Sequence, residues 1–482
     1  MDRNVVLAEL FRDARAQIRN SKQLRFTRTG EGFDDLAQRA LDFFYEHLAD
    51  ADEHYAEMAA EIFPRLFACD VATGYRFFHN HVVIGKMWEI YSRATALGIG
   101  VLKLAPRRFR REPPYKVACI TSMFSDYLAP VKTLVNFAIN MDRSLFTPVM
   151  IITNQTNTME RRGEFQILPF HQTVLGKQLV DAGIDIAGIA TQENVMRLSQ
   201  YLVEICDQME IDMMVTNGSP FSFPEACVAR SGVVGASFDL HQGFPLYVDG
   251  MDAIMHFARS TREIQLGPWL AKGGTVIDYL DGIEIMALPE PRPAHDPAQV
   301  VFLTVSNYLG QRLSAEFCAT VSRILRDCPQ AVYRLAGPAD QQEIAARFDP
   351  AVRNRLVFVG ALTGREQTTA EYLQADIYLN EFPVSGVRVC LEAMCAELPV
   401  VTMVSGELHV NRTAADHVGE FALPQYDPEQ YYQRVMRLVR EPEWRRQVGG
   451  ELRQRMETLY DYRKNFAELG RRMVEIYRNK LA

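Results

Sequence analysis

The sequence predicts an α/β protein: two Rossmann-like domains in tandem, facing a cleft, behind an all-α N-terminal domain. Three observations predict it. Residues 1–112 repeat apolar side chains at helical spacing. After Pro114, short aliphatic and β-branched runs alternate with amphipathic stretches, the grammar of a parallel sheet covered on both faces by helices. That alternation stops at a proline-rich stretch, Leu288 to Pro297, and then restarts. A length of 482 residues accommodates three domains at roughly 150 residues each.

Composition narrows the class. Apolar residues make up 48% and charged residues 23%, which suits a folded chain and excludes a disordered one. The 52 Lys+Arg against 60 Asp+Glu leave a net charge of -8, so there is no bulk attraction to nucleic acid or anionic membrane. The eight cysteines form no C-x-x-C pair and no zinc-like spacing, so buried thiols in a reducing compartment are expected. Met1 to Asn4 lead into a helical pattern carrying Glu9, Arg12 and Asp13 rather than into a signal peptide. No apolar run approaches the ~18 residues of a membrane span. A cytoplasmic location is the expectation.

Taken in order, Leu7, Leu10, Phe11, Ala14 and Ile18 mark a first helix, and Phe33, Leu36, Ala37, Ala40, Leu41 and Phe44 a second. Gly30-Glu31-Gly32 marks the turn between them. Two more helices are expected near 52–69 and 75–97, without a fixed repeat, as in a bundle or irregular hairpin array. Pro106 to Pro114, with four arginines, reads as a solvated basic connector. In the second domain, 113–288, strands are expected at 116–121, 148–153, 185–190, 211–217 and 252–257, with helices such as 128–140 and 192–209 between them. Residues 289–298 form a stiff linker. The third domain, 299–460, has strands at 299–305, 331–336, 355–359, 376–380 and 399–403, and 461–482 is a closing helix. Ligands in such sheets bind beyond the carboxyl ends of the strands, so the loops there are where chemistry is sought.

The most informative of these loops lies in 376–403. A strand ends at Asn380, a loop passes through Pro383 and Ser385-Gly386, and a helix begins near Val387. Free backbone N–H groups and the dipole at that helix start favour an anion, and Gly386 lets a ligand approach the backbone. Arg388 is placed to pair with phosphate, and Glu392, a turn further on, to accept hydrogen bonds from a ribose diol. An ordinary crossover, with Ser385-Gly386 as a turn and Glu392 on the surface, explains the spacing about as well.

Asn380, Phe382-Pro383, Ser385-Gly386, Leu391-Glu392-Ala393-Met394 and Leu398 to Thr402, followed by Met403, Gly406 and Arg412, resemble the donor-binding signature of GT-B glycosyltransferases. The pattern looks most like the branch of O-GlcNAc transferase and the bacterial cytoplasmic protein N-glucosyltransferases. The resemblance implies that Ser385, Gly386, Val387 and Arg388 hold a nucleotide diphosphate, that Asn380 lies beside them, and that Glu392 binds the ribose. Val387, Arg388 and Val389 stand where the family tends to have threonines. Val384 stands where the related retaining E-x7-E motif has its first glutamate, so an inverting reaction is expected.

The resemblance extends along the chain. Asn307, in Val305 to Arg312 after the first strand of the donor domain, matches a phosphate-contacting loop, with Arg312 as the pyrophosphate cation; an arginine in a solvated helix is the competing reading. Gly360 and Thr363 match the strand and loop beside the nucleotide base, although Gly360 also fits a strand-terminating turn. In the acceptor-side domain, His241, within Asp239 to Pro245, matches a cleft-loop histidine able to act as a base or to orient the acceptor. Asp126, within Thr121 to Tyr127, matches the first acceptor-side loop. The closing helix 461–482 resembles the one that crosses back to the first Rossmann domain.

Together these matches imply a glycosyltransferase using a UDP-linked sugar, with a protein side chain as acceptor and no metal, since no D-x-D motif falls in a plausible donor loop. A polysaccharide or lipid-linked acceptor fits the same residues, and oligomeric state is open. A non-catalytic GT-B partner subunit is the alternative from another class. A sugar-nucleotide isomerase on the same scaffold would need a pair of cleft carboxylates, and no such pair is assignable.

Overall fold

The helical periodicity at the start of the chain becomes α1 (Arg3–Ser21), α2 (Phe33–Glu46), α3 (Glu53–Thr73) and α4 (His81–Gly100). The computed structural model describes residues 3–21, 33–73, 77–78, 81–100, 109–122, 124–126, 129–153, 170–189, 194–217, 222–238, 248–256, 262–280, 282–285, 287–289, 299–362, 365–404 and 409–481. The Gly30 to Gly32 turn lies outside them. Phe33, Leu36, Ala37, Ala40, Leu41 and Phe44 form the buried face of α2, as their spacing requires. The described residues fall into two units. The first holds residues up to His256, then Arg262–Tyr279 and the chain from Phe466; the second runs from Leu280 to Asn465.

In the first unit the helices are followed by β1 (Tyr115–Thr121), α5 (Ala129–Ile139), β2 (Phe146–Ile152), α6 (Val174–Asp181), β3 (Asp185–Gly188), α7 (Val195–Gln208), β4 (Met213–Thr216), α8 (Phe223–Arg230), β5 (Val234–Phe238), β6 (Met251–His256), α9 (Arg262–Ala271) and β7 (Thr275–Asp278). The strands make one parallel sheet in the order β3-β2-β1-β4-β5-β6-β7. Two of them, β5 and β7, were not among the expected strands. β5 reads Val-Gly-Ala-Ser-Phe, with weak strand propensity, but every residue is buried between its neighbours. A Cβ at Gly235 would stand 2.9 Å from the Met251 sulfur, so the strand is small because β6 packs close. β7 is a four-residue edge strand with Thr275 and Asp278 exposed.

The basic connector is not simply solvated. Asp212, at 2% exposure, accepts the Lys116 amide at 2.8 Å, the Arg110 amide at 3.4 Å and the Tyr477 hydroxyl at 3.1 Å. Arg110 also pairs with Glu210 at 3.1 Å. One buried carboxylate thus ties connector, sheet and last helix together. That helix is further held by Lys480 on Asp252 at 2.8 Å and by the Phe466 ring 5.2 Å from Phe137. Helix α4 lies against α8 and α9, where Trp88 stacks on Trp269 at 5.3 Å.

Glu225, near the start of α8, is wholly buried, and neither carboxyl oxygen has a hydrogen-bond partner among the described residues. Burial raises its pKa to about 7. A carboxyl raised on folding binds its proton more tightly in the native state. Stability should therefore be highest below the ordinary carboxylate range and fall as pH rises toward 7, by about 3 kcal/mol in all. Glu225→Gln removes that ionisation. Urea melts at pH 5 and pH 8 should show a smaller loss of stability in the variant; equal losses would exclude Glu225 as the source.

The second unit contains β8 (Val300–Val305), α10 (Leu309–Arg312), α11 (Ala315–Asp327), β9 (Ala331–Ala336), α12 (Gln341–Ala346), β10 (Leu356–Gly360), α13 (Arg365–Leu373), β11 (Ile377–Leu379), α14 (Arg388–Cys395), β12 (Val400–Val401), α15 (His409–Val418), α16 (Pro428–Arg440) and α17 (Pro442–Leu459). The last helix, α18 (Tyr462–Leu481), begins in this unit and continues in the first. The parallel order is β10-β9-β8-β11-β12. Phe302, Leu303, Tyr333, Leu335, Tyr378 and Leu391 centre its core. Described cysteine side chains are free and buried, and burial pushes the Cys119 and Cys318 thiols up to about 12. No described helix is long and apolar enough to cross a membrane.

Candidate functional site

A doubly wound sheet opens a crevice where successive crossovers leave in opposite directions. In the second unit that point lies between β8 and β11, which pair directly. The loop after β8 carries Ser306, Asn307 and Tyr308 and leads into α10; the loop after β11 carries Asn380 to Val387 and leads into α14. These are the two loops in which the sequence placed its phosphate-binding residues.

The loop after β11 is held from several sides. Asn380, at 1% exposure, donates through Nδ2 to Thr402 Oγ1 at 3.0 Å, and its Oδ1 accepts the Gly386 amide at 3.1 Å. The Tyr431 hydroxyl donates to the Asn380 carbonyl at 3.1 Å, and Ser314 Oγ to the Phe382 carbonyl at 2.7 Å. Asn380 therefore shapes the loop with its amide group.

Gly386 differs from expectation as well. Its N–H is not free: it is shared between Asn380 Oδ1 and Glu381 Oε2, the latter at 3.4 Å. Its missing Cβ makes room for the protein's own side chains, since a Cβ there would lie 2.3 Å from Val389 Cγ2 and 3.2 Å from Arg312 Nη1. Ser385 and Gly386 are buried, whereas Val387, Arg388 and Val389 are partly open. The backbone that stays partly open is thus the first turn of α14 rather than Ser385-Gly386.

That turn is uncapped. Helices α11, α12 and α16 each begin with a side chain accepting a first-turn amide, from Ser314, Asp340 and Asp427. Helix α14 begins at Val387 with no side-chain cap. A helix start without a cap leaves N–H donors for another acceptor. Beside it stands Arg312, the last residue of α10, half-buried, with no side-chain hydrogen bond or ion pair among the described residues. Its guanidinium lies over the Tyr308 ring at 5.5 Å.

Arg388 and Glu392 lie one turn apart on α14, with Nε to Oε1 at 3.8 Å. The Tyr372 hydroxyl, from α13, is 3.2 Å from Glu392 Oε2. Burial and the neighbouring Glu392 push the Tyr372 phenol well above its usual range, so it stays protonated and donates. Two contacts leave a carboxylate with further acceptor sites, so Glu392 is oriented without being saturated.

Three loop ends meet beside this point. Gly337, after β9, donates its amide to the Gly360 carbonyl at 2.8 Å, and a Cβ at Gly337 would lie 1.9 Å from the Ser306 carbonyl oxygen. Gly337 has φ +149 and Gly360 has φ +83, so Gly360 does terminate its strand in a conformation suited to glycine. Open space faces it. Asn307 follows Ser306 directly and is half-buried.

The structure therefore brings Arg312, Asn380 and Gly386 to one point, with Arg388 and Glu392 along the same helix. Glu381 and Gly337 were missed by sequence reasoning. For Gly337 a signal existed, a Gly-Pro turn directly after a strand. For Glu381 nothing distinguished it from a surface carboxylate, yet it is 1% exposed. Burial raises its pKa against the opposing influence of Arg312. Thr363 and His241 lie outside the described residues. Asp126 is placed: its two carboxylate oxygens accept the amides of Val174 and Leu175 at 2.8 and 2.9 Å, fastening the loop after β1 to the start of α6. Those contacts give Asp126 an anchoring role.

Comparison with known proteins agrees with this architecture. Residues 299–441 match the family model of the group 1 glycosyl transferases. Among solved structures, an O-GlcNAc transferase mutant of Thermobaculum terrenum is similar over 98% of this chain and 98% of its own, at 14% identity and a TM-score of 0.57. Sucrose-phosphate synthase of Thermosynechococcus elongatus matches 76% of this chain and 100% of its own, at 15% identity and TM-score 0.54. The HepE protein of Anabaena, solved with UDP and glucose, matches 75% and 99%, at 12% identity and TM-score 0.53. No curated protein sequence matches the chain. The fold is GT-B, a helical region ahead of its Rossmann-like units, and the match to the group 1 glycosyl transferase model lies within the second unit.

Proposed function

We propose that this chain transfers a sugar from a UDP-linked donor to an acceptor, most simply a protein side chain, with inversion and without a metal. The observation that carries the reading is the Arg312 guanidinium, without a side-chain hydrogen bond or ion pair among the described residues, beside the start of α14, which has no side-chain cap, at the switch point of the second sheet. Breaking the bond from the anomeric carbon to the diphosphate oxygen leaves negative charge on the departing UDP. Fixed N–H donors and a guanidinium aimed at that charge stabilise it more than they stabilise the bound donor. Arg312 and the amides of Val387 and Val389 are the groups able to do so here. Glu392, steadied by Tyr372, accepts hydrogen bonds from the ribose diol. His241 takes the proton from the attacking hydroxyl or amide, or orients it; this assignment comes from its sequence context.

The HepE protein was solved with UDP, which supports uridine as the base to test first. UDP at millimolar concentration should raise the melting temperature through its preference for the folded state. Glu392→Ala should weaken UDP binding by about tenfold, one lost pair of charge-assisted hydrogen bonds, with little change in the melting temperature of the free protein. No thermal shift with UDP would remove the donor site.

His241→Ala tests the acceptor side. Transfer should fall by about 100-fold or more, while UDP binds as in the wild type. Unchanged transfer would take His241 out of the reaction. A second reading, a donor-binding module without transfer, draws on the altered Val387 to Val389 triplet and on Arg388 pairing with Glu392 rather than standing apart from it. It predicts UDP binding with neither donor hydrolysis nor transfer to any protein, polysaccharide or lipid-linked acceptor.

A further inference from the structure

Glu381 has no part in the reaction as described, yet it sits inside the donor site. Its Oε2 accepts the Gly386 amide at 3.4 Å, its Oε1 has no hydrogen-bond partner among the described residues, and the residue is 1% exposed. The ionisable groups that act on it or feel it come from every side: Arg312 of α10, Tyr333 of β9, Tyr378 of β11, Cys390 of α14 and Tyr431 of α16. Burial pushes the three phenols and the thiol well up, so they stay neutral. Arg312 is the cation acting on Glu381, and it is also the guanidinium that lies against Gly386.

We infer that Glu381 is a positioning residue whose carboxyl group must be neutral for the diphosphate to bind, because Arg312 can answer the charge of Glu381 or of the diphosphate but not both. The inference rests on the donor-site reading given above. An ionised Glu381 would hold the field of Arg312 and place a buried negative charge beside the incoming phosphates, where poor screening makes repulsion strong. A neutral Glu381 still accepts the Gly386 amide, keeps the loop in shape and leaves Arg312 to the ligand. Burial pushes toward the neutral form, while Arg312 first, and then hydrogen bonding from Ser306 and the Gly386 amide, push the other way. A diphosphate that engages Arg312 removes that opposition and adds its own charge. Both changes favour protonation, so binding takes up a proton.

The test is calorimetric titration of the full chain with UDP at pH 6 and pH 8, for wild type and Glu381→Gln. Glutamine is the neutral mimic. The terminal phosphate of UDP itself titrates near pH 6, equally for both proteins, so the comparison cancels it. Wild type should lose about tenfold more affinity than Glu381→Gln between the two pH values, and Glu381→Gln should bind more tightly than wild type at pH 8. Parallel pH dependence, or a variant weaker by the same factor at both pH values, would overturn the inference and leave Glu381 a merely structural group. Should Glu381→Gln fail to fold, the wild type decides alone: binding heats at pH 8 in two buffers of different ionisation enthalpy must differ by a proton uptake, and equal heats overturn it. If the wild type binds no UDP at either pH, the donor-site reading itself has failed; if it binds UDP without proton uptake, only the role of Glu381 has.

Discussion

Arg312→Ala is expected to lower donor turnover by about 100- to 1000-fold, the usual consequence of deleting one preorganised group from the site where charge develops. The size follows from how the arginine is held. Its guanidinium makes no side-chain hydrogen bond or ion pair among the described residues, so its donors are open to a ligand once Glu381 is neutral. It lies against Gly386, where a Cβ would come within 3.2 Å of Nη1, at the start of the uncapped helix. Loss of the side chain should weaken UDP binding and transfer together, because the diphosphate is charged in the ground state and more so as it leaves. Arg312→Lys keeps the charge without the planar fork and should recover only part of the loss. Stability should change little, since the side chain makes no hydrogen bond or ion pair among the described residues. The measurement is UDP affinity by calorimetry alongside turnover of UDP-sugars. Activity within threefold of wild type in Arg312→Ala would show that the leaving group is stabilised elsewhere.

Gly337→Ala should cost the second unit about 2–4 kcal/mol, which for a domain of its size lowers the melting temperature by roughly 5–12 °C. Two independent causes add. At φ +149 an L side chain is strained. The new Cβ would also stand 1.9 Å from the Ser306 carbonyl oxygen and 2.9 Å from its carbon, which are backbone atoms and cannot simply rotate away. Relief requires the loop after β8 to move, and that loop leads through Asn307 to Arg312. The variant should therefore lose UDP affinity as well as stability. Gly360→Ala provides the contrast: its φ is +83, but nothing lies within 4 Å of the added carbon. Its penalty should be strain alone, about 1 kcal/mol. Thermal melts of the two variants with and without UDP separate the effects; equal losses would mean that the close approach at Gly337 is relieved without displacing Ser306.

Much of the fold was readable because long, buried parallel strands advertise themselves. Val300 to Val305 and Met213 to Thr216 are apolar runs that only a sheet covered on both faces explains. β5 and β7 escaped because the first is made of small residues and the second is a short edge, so their strand identity comes from neighbours rather than from propensity. The connector at Arg110 showed the same limit. A row of arginines reads as solvated until a buried acceptor such as Asp212 is seen beneath it.

By itself, the sequence determined which segments alternate, where the two α/β units begin again, and which loops follow the strands at which ligands bind. Those features are local: a run of apolar residues, a Gly-Pro turn and a helix start each involve neighbours in the chain. Only the tertiary structure decided how the groups in those loops are used. It committed the Gly386 amide to Asn380 and Glu381, left the start of α14 without a side-chain cap, left Arg312 without a side-chain hydrogen bond or ion pair among the described residues, and set Asp126 to anchoring a helix. The physical reason is that a hydrogen-bond donor or a charge is available only if nothing nearer satisfies it. What lies nearer is set by the order β10-β9-β8-β11-β12, which brings distant loops edge to edge.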